Sequence, residues 1–321
     1  MPFSDYLRLM RPAQWYKNVL VFLAIVFYQV PETYPWSTTP PLLDFSKFST
    51  YHLPLILGFL AFCAVSSATY IFNDIKDLEA DSVHPEKKNR PLPSGAVSRS
   101  TAIALAIILL VSGLSLSIIL SWFFLAIVLL YLINSHLYNT YLRKWAIVDV
   151  CTIGVGFVLR AIAGAVLLNA PFTSWLVIGV FFFALLLGFG KRKNELQFLG
   201  ADAPEHKPVF RQYNNTILDQ GISMSATWFV FFYTLYCFNT FSNRMIEQPV
   251  MLTVPFLAGL ILRYVYLIHI GSPVGRKPHL AFKDKGILIG GVLFMLVLAW
   301  TLFFWEMVFE FVENLIQPFI V

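Results

Sequence analysis

The chain has 321 residues, of which 58% are hydrophobic and only 13% are charged, about half the charged share of a soluble globular domain. A water-soluble core cannot hide that much apolar surface, so the composition excludes a soluble globular protein. The net charge is only +5, and no basic stripe interleaved with aromatic residues occurs, so we set nucleic-acid binding aside.

Membrane-spanning helices are predicted along the whole chain. A membrane helix needs about 20 consecutive, mostly apolar residues. The first apolar run follows basic residues as in a signal peptide, but no small-residue cleavage site follows it, so we predict a retained span. The sequence predicts nine spans in a single domain over residues 1–321. Their approximate ranges are 16–34, 52–73, 101–120, 122–141, 146–168, 172–190, 218–241, 250–270 and 286–309.

The basic residues divide the loops between the two sides of the membrane. Lys and Arg accumulate on the cytoplasmic side, and here nearly all of the 23 basic residues fall in alternate segments, beginning with the amino terminus. Only Lys47 and Arg244 lie in the opposite set, while Arg160 and Arg263 lie inside predicted spans. The pattern predicts a cytoplasmic amino terminus and, with nine spans, a carboxyl terminus outside.

Four short, oxygen-bearing side chains follow the second predicted span: Asn73, Asp74, Asp77 and Asp81, which we call the acidic motif. On a continuous helix they lie within about 100° of one another, so they share one face. Clustered carboxylates repel one another unless a positive charge sits between them. Because Mg²⁺ is usually held by one or two carboxylates together with substrate phosphates, the motif predicts a magnesium and diphosphate site. The alternative is an ordinary solvated helix end.

Loops on the predicted cytoplasmic side supply candidates for binding phosphate groups. A guanidinium such as that of Arg90 can bind a phosphate through two parallel hydrogen bonds. Any cytoplasmic loop of a membrane protein is basic, so a purely topological role for these residues stays open. The loop candidates are Lys87 and Arg90 after the acidic motif, Tyr138, Tyr141, Arg143, Lys144 and Asp149 between the fourth and fifth spans, and Lys191 and Arg192 at the end of the sixth.

Arg160 is predicted about three helical turns inside the fifth span. An unpaired charge there costs several kcal/mol, so a partner or a polar cavity is expected. The residue therefore has a functional or site-supporting role, or else it snorkels or forms a structural ion pair. The histidines never fall beside acids at ligand spacing, so no zinc site is predicted.

The chain resembles the UbiA superfamily of intramembrane prenyltransferases over essentially its whole length. The resemblance rests on the nine spans, the Asn-Asp-x-x-Asp-x-x-x-Asp motif of residues 73–81 and a cytoplasmic polar cap. Members that prenylate aromatic rings typically carry a second acid-rich motif after the sixth span, where this chain is basic. Four stretches instead resemble the decaprenyl-phosphate phosphoribosyltransferase branch: Arg11 to Asn18, Asn73 to Gly95, Phe157 to Gly164 and Gly190 to Arg192.

The resemblance implies an all-α bundle of nine transmembrane helices in the bacterial inner membrane, with a cytoplasmic active site and a possible homo-oligomer. It implies transfer of a 5-phosphoribosyl group from phosphoribosyl pyrophosphate to a polyprenyl phosphate, a step toward arabinofuranosyl donors for cell-envelope glycans. In that mechanism Asn73, Asp77 and Asp81 hold Mg²⁺, Asp74 belongs to the same catalytic motif, and Lys17 joins the phosphate-binding residues. Asp149 and Tyr138 orient the ribose hydroxyls of the donor. The alternatives are an aromatic prenyltransferase that uses a prenyl diphosphate and a non-enzymatic transporter of lipid phosphates.

Overall fold

The computed structural model describes residues 3–27, 42, 44–83, 87–170, 173–240 and 249–304, and within them the chain forms helices joined by short turns. A 3-10 helix, Pro12–Phe22, lies between the first two α-helices. The α-helices are α1 (Phe3–Met10), α2 (Leu23–Phe27), α3 (Phe48–Lys76), α4 (Leu78–Ser82), α5 (Arg99–Leu120), α6 (Trp122–Thr140), α7 (Val148–Leu167), α8 (Ser174–Leu199), α9 (Ala203–His206), α10 (Asn215–Thr240), α11 (Val254–His269) and α12 (Lys285–Ala299).

Eight helical segments of the described chain are long and apolar enough to cross a membrane. They correspond to the second to ninth predicted spans, so the all-helical membrane class is confirmed. The predicted first span begins in the 3-10 helix Pro12–Phe22 and continues into α2, but residues 28–34 lie outside the described residues. The carboxyl terminus, from residue 305, also lies outside them. The count of nine therefore stays a prediction.

The chain divides into two compact units, residues 1–172 with 199–214 and residues 173–198 with 215–321. In the first unit, α3 packs along α5, and α7 packs against α6 and the 3-10 helix Pro12–Phe22. Phe62 and Phe124 are fully buried at the centre of this core and meet edge to face, with ring centroids 5.7 Å apart. The first unit thus has its own apolar core.

A single extended residue, Ser121, separates α5 from α6. Its backbone N–H closes α5 on the carbonyl of Ser117 at 3.1 Å, and its hydroxyl accepts the N–H of Phe123 at 3.2 Å as the cap of α6. Residue 121 therefore satisfies backbone groups of both helices. This local chemistry explains why two nearly fused apolar runs form two helices.

The second unit joins α8 to α10 through aromatic rings and α11 to α12 through an ion pair. The rings of Phe182 and Phe232 stack with centroids 5.6 Å apart. Arg263 donates to both carboxylate oxygens of Asp284, at 3.1 and 2.9 Å, and Asp284 caps α12 by accepting the N–H of Ile287 at 2.9 Å. Arg263, which the sequence left isolated inside a span, therefore ties its helix to the start of the next.

Candidate active site

The acidic motif lies where α3 passes into α4. Asn73 and Asp74 occupy the last turn of α3, and Asp77 closes that helix by donating its N–H to the carbonyl of Asn73 at 2.9 Å. Asp81, in α4, donates its N–H to the carbonyl of Asp77 at 2.8 Å. Helical hydrogen bonding therefore continues through the motif.

Asp74 and Asp81 share one arginine. The same Nη1 atom of Arg90 lies 3.1 Å from Asp74 Oδ1 and 2.7 Å from Asp81 Oδ2. Both carboxylates are buried, so their charges require compensation of this kind. Asp74 and Asp81 therefore point to the same side, as the helical spacing predicts.

Arg11 supplies a second cation to Asp74. Its Nη2 donates to Asp74 Oδ1, and its guanidinium lies 5.3 Å from the centre of the Tyr70 ring. The backbone of Arg11 is left-handed, with φ of 55° and ψ of 58°, directly before Pro12. Such conformations are strained and persist only where surrounding contacts impose them. Burial lowers the pKa of Arg90, and the neighbouring Arg11 charge lowers it further.

Arg143 pairs with Asp77 through both of its terminal nitrogens. Nη1 lies 2.8 Å from Oδ2 and Nη2 lies 3.0 Å from Oδ1, the parallel geometry of a bidentate pair. The hydrogen bond to Asp77 raises the pKa of Arg143, and the nearby hydroxyl of Tyr138 adds to the rise. The side chain of the predicted Lys144 is exposed, and its carbonyl accepts a 2.8 Å hydrogen bond from Gln212.

Three arginines from three separate elements thus meet the three aspartates. Within the described part of the chain, no three His, Cys, Asp or Glu side chains are grouped as a metal cage. Magnesium does not need such a cage, since substrate phosphates and water complete its shell. The metal prediction therefore depends on the donor atoms that Asn73, Asp77 and Asp81 present.

The side-chain oxygen of Asn73 is a buried acceptor without a hydrogen-bond partner in the structure. A buried polar atom left in this state is costly and needs an explanation. Its neighbours along the helix are carboxylates, the other oxygen donors that Mg²⁺ prefers. The donor set at the end of α3 therefore fits a magnesium ion.

Asp149 anchors the turn that carries Arg143. Its carboxylate is fully buried and accepts the hydroxyl proton of Tyr213 at 2.6 Å, while the same hydroxyl accepts the N–H of Ile147 at 2.7 Å. Ile147 has a φ of 69°, unusual for a β-branched residue. The predicted contact between Asp149 and a ribose stays a prediction, whereas its support of this turn is observed.

Arg160 lies buried within α7 and has neutral partners. Its Nε donates to Asn18 Oδ1 at 2.7 Å, its Nη1 to the Gly156 carbonyl at 2.6 Å and its Nη2 to the Tyr131 hydroxyl at 3.0 Å. Its guanidinium also lies 4.5 Å from the centre of the Tyr131 ring. The expected polar partners are therefore present, and one of them, Asn18, ties the 3-10 helix Pro12–Phe22 to α7 directly beside the predicted Lys17.

Three predicted cations remain. Arg192 is buried in α8 of the second unit and pairs with Glu195 at 3.0 Å, while Lys191 beside it is exposed. The backbone of Lys87 forms the 3-10 turn Lys87–Asn89, but its side chain lies outside the described residues. Arg143, one of the loop candidates, contacts the acidic motif, and so does Arg11, which was not among the predicted site residues. The left-handed backbone of Arg11 before Pro12 marks this residue as unusual, but it is visible only in the structure and not in the sequence.

Comparisons with known proteins agree on the family. The model of the UbiA prenyltransferase family matches residues 43–283. The chain is 30% identical to the decaprenyl-phosphate phosphoribosyltransferase of Mycolicibacterium smegmatis, covering 92% of this chain and 90% of that protein. It is 28% identical to the protein of the same name from Corynebacterium glutamicum, covering 92% and 84%.

A solved structure shares the fold. The UbiA homologue of Archaeoglobus fulgidus bound to DMAPP and Mg²⁺ superposes with a TM-score of 0.67 at 19% identity, covering 93% of this chain and 98% of that one. The family match over most of the chain and the near full-length relatives coincide with the acidic motif at the end of α3. The chain belongs to the UbiA prenyltransferase family.

Proposed function

We propose that the protein is a magnesium-dependent transferase that moves a 5-phosphoribosyl group from phosphoribosyl pyrophosphate to a polyprenyl phosphate and releases pyrophosphate. The observation that carries the proposal is the acidic motif, with its orphaned Asn73 oxygen, surrounded by arginines from three elements. The near full-length relatives named decaprenyl-phosphate phosphoribosyltransferase support this choice of substrates. The product would serve the synthesis of arabinofuranosyl donors for cell-envelope glycans.

Asn73, Asp77 and Asp81 would hold Mg²⁺, which neutralises the charge that grows on the departing pyrophosphate. Asp74 is held between Arg11 and Arg90 and keeps both guanidinium groups at the motif. Guanidinium groups suit this task because each offers several N–H donors in a planar fork.

The cations of the site bind the phosphates of both substrates. We assign Arg11, Arg90 and Arg143 to the pyrophosphate, and the other cations to the 5-phosphate and the acceptor phosphate. The protein holds the acceptor oxygen against the anomeric carbon, and this positioning is its main contribution. The bond from the anomeric carbon to the pyrophosphate oxygen breaks, and a bond to the lipid phosphate oxygen forms. The acceptor is already anionic, so no strong general base is required. The other assigned cations are Lys17, Lys87, Lys144, Lys191 and Arg192. Asp149 and Tyr138 would orient the ribose hydroxyls.

The membrane arrangement is part of the proposal. Nine spans, a cytoplasmic amino terminus and a cytoplasmic polar cap in the bacterial inner membrane would let the water-soluble donor reach the motif from the cytoplasm. The polyprenyl tail would enter from the bilayer. One domain is proposed for the whole chain, with a homo-oligomer possible in the membrane.

The test is a synthesis reaction with purified protein, phosphoribosyl pyrophosphate, decaprenyl phosphate and Mg²⁺, followed by mass spectrometry of the lipid. A phosphoribosylated lipid is expected, and its formation should stop when the metal is chelated. Asp77→Asn should abolish turnover, whereas Asp202→Asn, an exposed aspartate in the 3-10 helix Gly200–Asp202, should not. Failure to form the lipid with intact protein would defeat the proposal.

The second candidate is transfer of a prenyl group from a prenyl diphosphate to an aromatic acceptor. It is favoured by the shared fold with the Archaeoglobus fulgidus homologue bound to DMAPP and Mg²⁺. Parallel reactions with a radiolabelled prenyl diphosphate and an aromatic acceptor separate the two, because each enzyme consumes only one of the donors.

A further inference from the structure

Arg143 and Asp77 form the most accessible of the four arginine–aspartate contacts of the acidic motif. The side chain of Asp77 is 21% exposed, whereas those of Asp74 and Asp81 are 3% and 2% exposed. The Arg143 side chain is 32% exposed. The Asp77 carboxylate is therefore the one of the three that is most open to solvent.

The bidentate pair occupies both oxygens of Asp77. Nη1 and Nη2 of Arg143 each hold one of them, at 2.8 and 3.0 Å. A divalent ion on the same carboxylate would lie close to the guanidinium, and two cations repel strongly at that range. Arg143 and a metal ion therefore cannot bind Asp77 fully at the same time.

Hydrogen bonds hold the backbone next to Arg143, whereas its side chain is partly exposed to solvent. The turn is fastened by Tyr213 to Asp149 and Ile147, and by Gln212 to the carbonyl of Lys144. A guanidinium that leaves Asp77 thus stays near the motif. Its planar fork matches a phosphate as well as it matches a carboxylate.

We propose that Arg143 exchanges the Asp77 carboxylate for the pyrophosphate when a divalent ion binds Asp77, so that metal and pyrophosphate binding are coupled through this one side chain. The inference rests on the proposed function, since it takes Asp77 as a metal ligand. It assigns Arg143 as the group that links the two ligands.

The experiment measures the affinities of Arg143→Gln for Mn²⁺ and for pyrophosphate, which should change in opposite directions. Mn²⁺ binding without phosphate is followed by the electron paramagnetic resonance signal of the unbound ion, and about tenfold tighter binding is expected because the competing cation is gone. Pyrophosphate binding is measured by calorimetry at saturating Mg²⁺, and about tenfold weaker binding is expected because a bidentate donor is lost.

Lys76→Gln is the charge-matched control. Lys76 directly precedes Asp77, and its Nζ donates to the Asn139 carbonyl at 3.2 Å. The variant loses the same charge without touching the Asp77 pair, so both affinities should change less than about threefold. Equal effects of the two variants would reduce Arg143 to a general electrostatic role and overturn the proposal.

Arg143→Lys guards against a folding defect, since it keeps the charge and loses the fork. Its Mn²⁺ binding should be tighter and its pyrophosphate binding weaker than in the unaltered protein, each by less than in Arg143→Gln. Its melting temperature should be unchanged. Weaker binding of both ligands by a folded variant would overturn the exchange. If the unaltered protein bound no Mn²⁺, the metal assignment of the proposed function would fail instead. If the unaltered protein makes the lipid product but Arg143→Gln does not change the two affinities in opposite directions, the exchange by Arg143 is refuted and the proposed function stands.

Discussion

Gly164 in α7 sets how closely the amino-terminal segment approaches the bundle of the first unit. A Cβ atom placed on Gly164 would overlap the carbonyl oxygen of Val21 and would lie 2.8 Å from its carbonyl carbon. Ordinary contacts of a Cβ atom begin near 3.4 Å, so the 3-10 helix Pro12–Phe22 would have to move away from α7. The obstacle is backbone, so no rotamer change relieves it.

Gly164→Ala should therefore impair both stability and turnover. Overpacking of this kind costs about 1–3 kcal/mol of unfolding free energy. The displaced segment carries Lys17 and begins next to Arg11, and a shift of about 1 Å in a positioning element lowers a rate on the order of 100-fold. Thermal unfolding in detergent, followed by tryptophan fluorescence, and the lipid synthesis reaction measure the two effects.

Gly259→Ala in α11 is the control for this substitution. A Cβ atom at Gly259 meets nothing within 4 Å, so its melting temperature and turnover should stay near those of the unaltered protein. If Gly164→Ala matched this control in both measurements, the close approach of Val21 to α7 would be refuted. The dependence of the site on the seating of the 3-10 helix would be refuted with it.

Three further predictions concern individual side chains. Asn73→Leu removes a buried oxygen without a hydrogen-bond partner, so the melting temperature should stay level or rise while Mn²⁺ affinity falls at least about tenfold. A lower melting temperature would show that the Asn73 oxygen does make a stabilising hydrogen bond. Arg160→Met removes the guanidinium that donates to the buried Asn18 oxygen and to the Tyr131 hydroxyl, which should lower the free energy of unfolding by about 1–3 kcal/mol. An unchanged melting temperature would exclude this network as a source of stability. The hydrogen bond from Arg263 holds the pKa of Asp284 below its ordinary value of 3.8, so stability from this pair is fully present above pH 3.8 and is lost as pH falls through the depressed pKa. Asp284→Asn should flatten that acid dependence of the melting temperature, and an unaltered acid profile would argue against the pair.

Local sequence predicted where most helices lie. Eight apolar runs became eight candidate spans, with bounds within a few residues of the prediction for most of them. The break between α5 and α6 at Ser121 was also visible, because a serine can cap the following helix. The first span was harder to judge, since its described part starts as a 3-10 helix seated on Gly164 rather than as an ordinary apolar helix.

The candidate site was predicted only in part. The four side chains of the acidic motif were selected because helical spacing puts short oxygen donors on one face, and that depends only on near neighbours. Among the cations, Arg90 was selected and contacts the motif, whereas the predicted Lys144 is exposed and Arg143 beside it makes the contact. Two adjacent basic residues in a loop look alike in sequence, and the turn fastened by Tyr213 decides which of them faces the aspartate.

The membrane class and the location of the acidic motif were determined by the sequence alone. In a bilayer the backbone hydrogen bonds of a span must form within its own helix, and that helix must be apolar over about 20 residues, so each span is visible in the local sequence. The pairing of charges was decided by the tertiary structure, which joins Arg11 to Asp74 across 63 residues, Arg143 to Asp77 across 66 and Arg160 to Asn18 across 142. Such contacts depend on the rotation and position of each helix against its neighbours. Many small packing contacts together fix that arrangement, and no local sequence pattern encodes it.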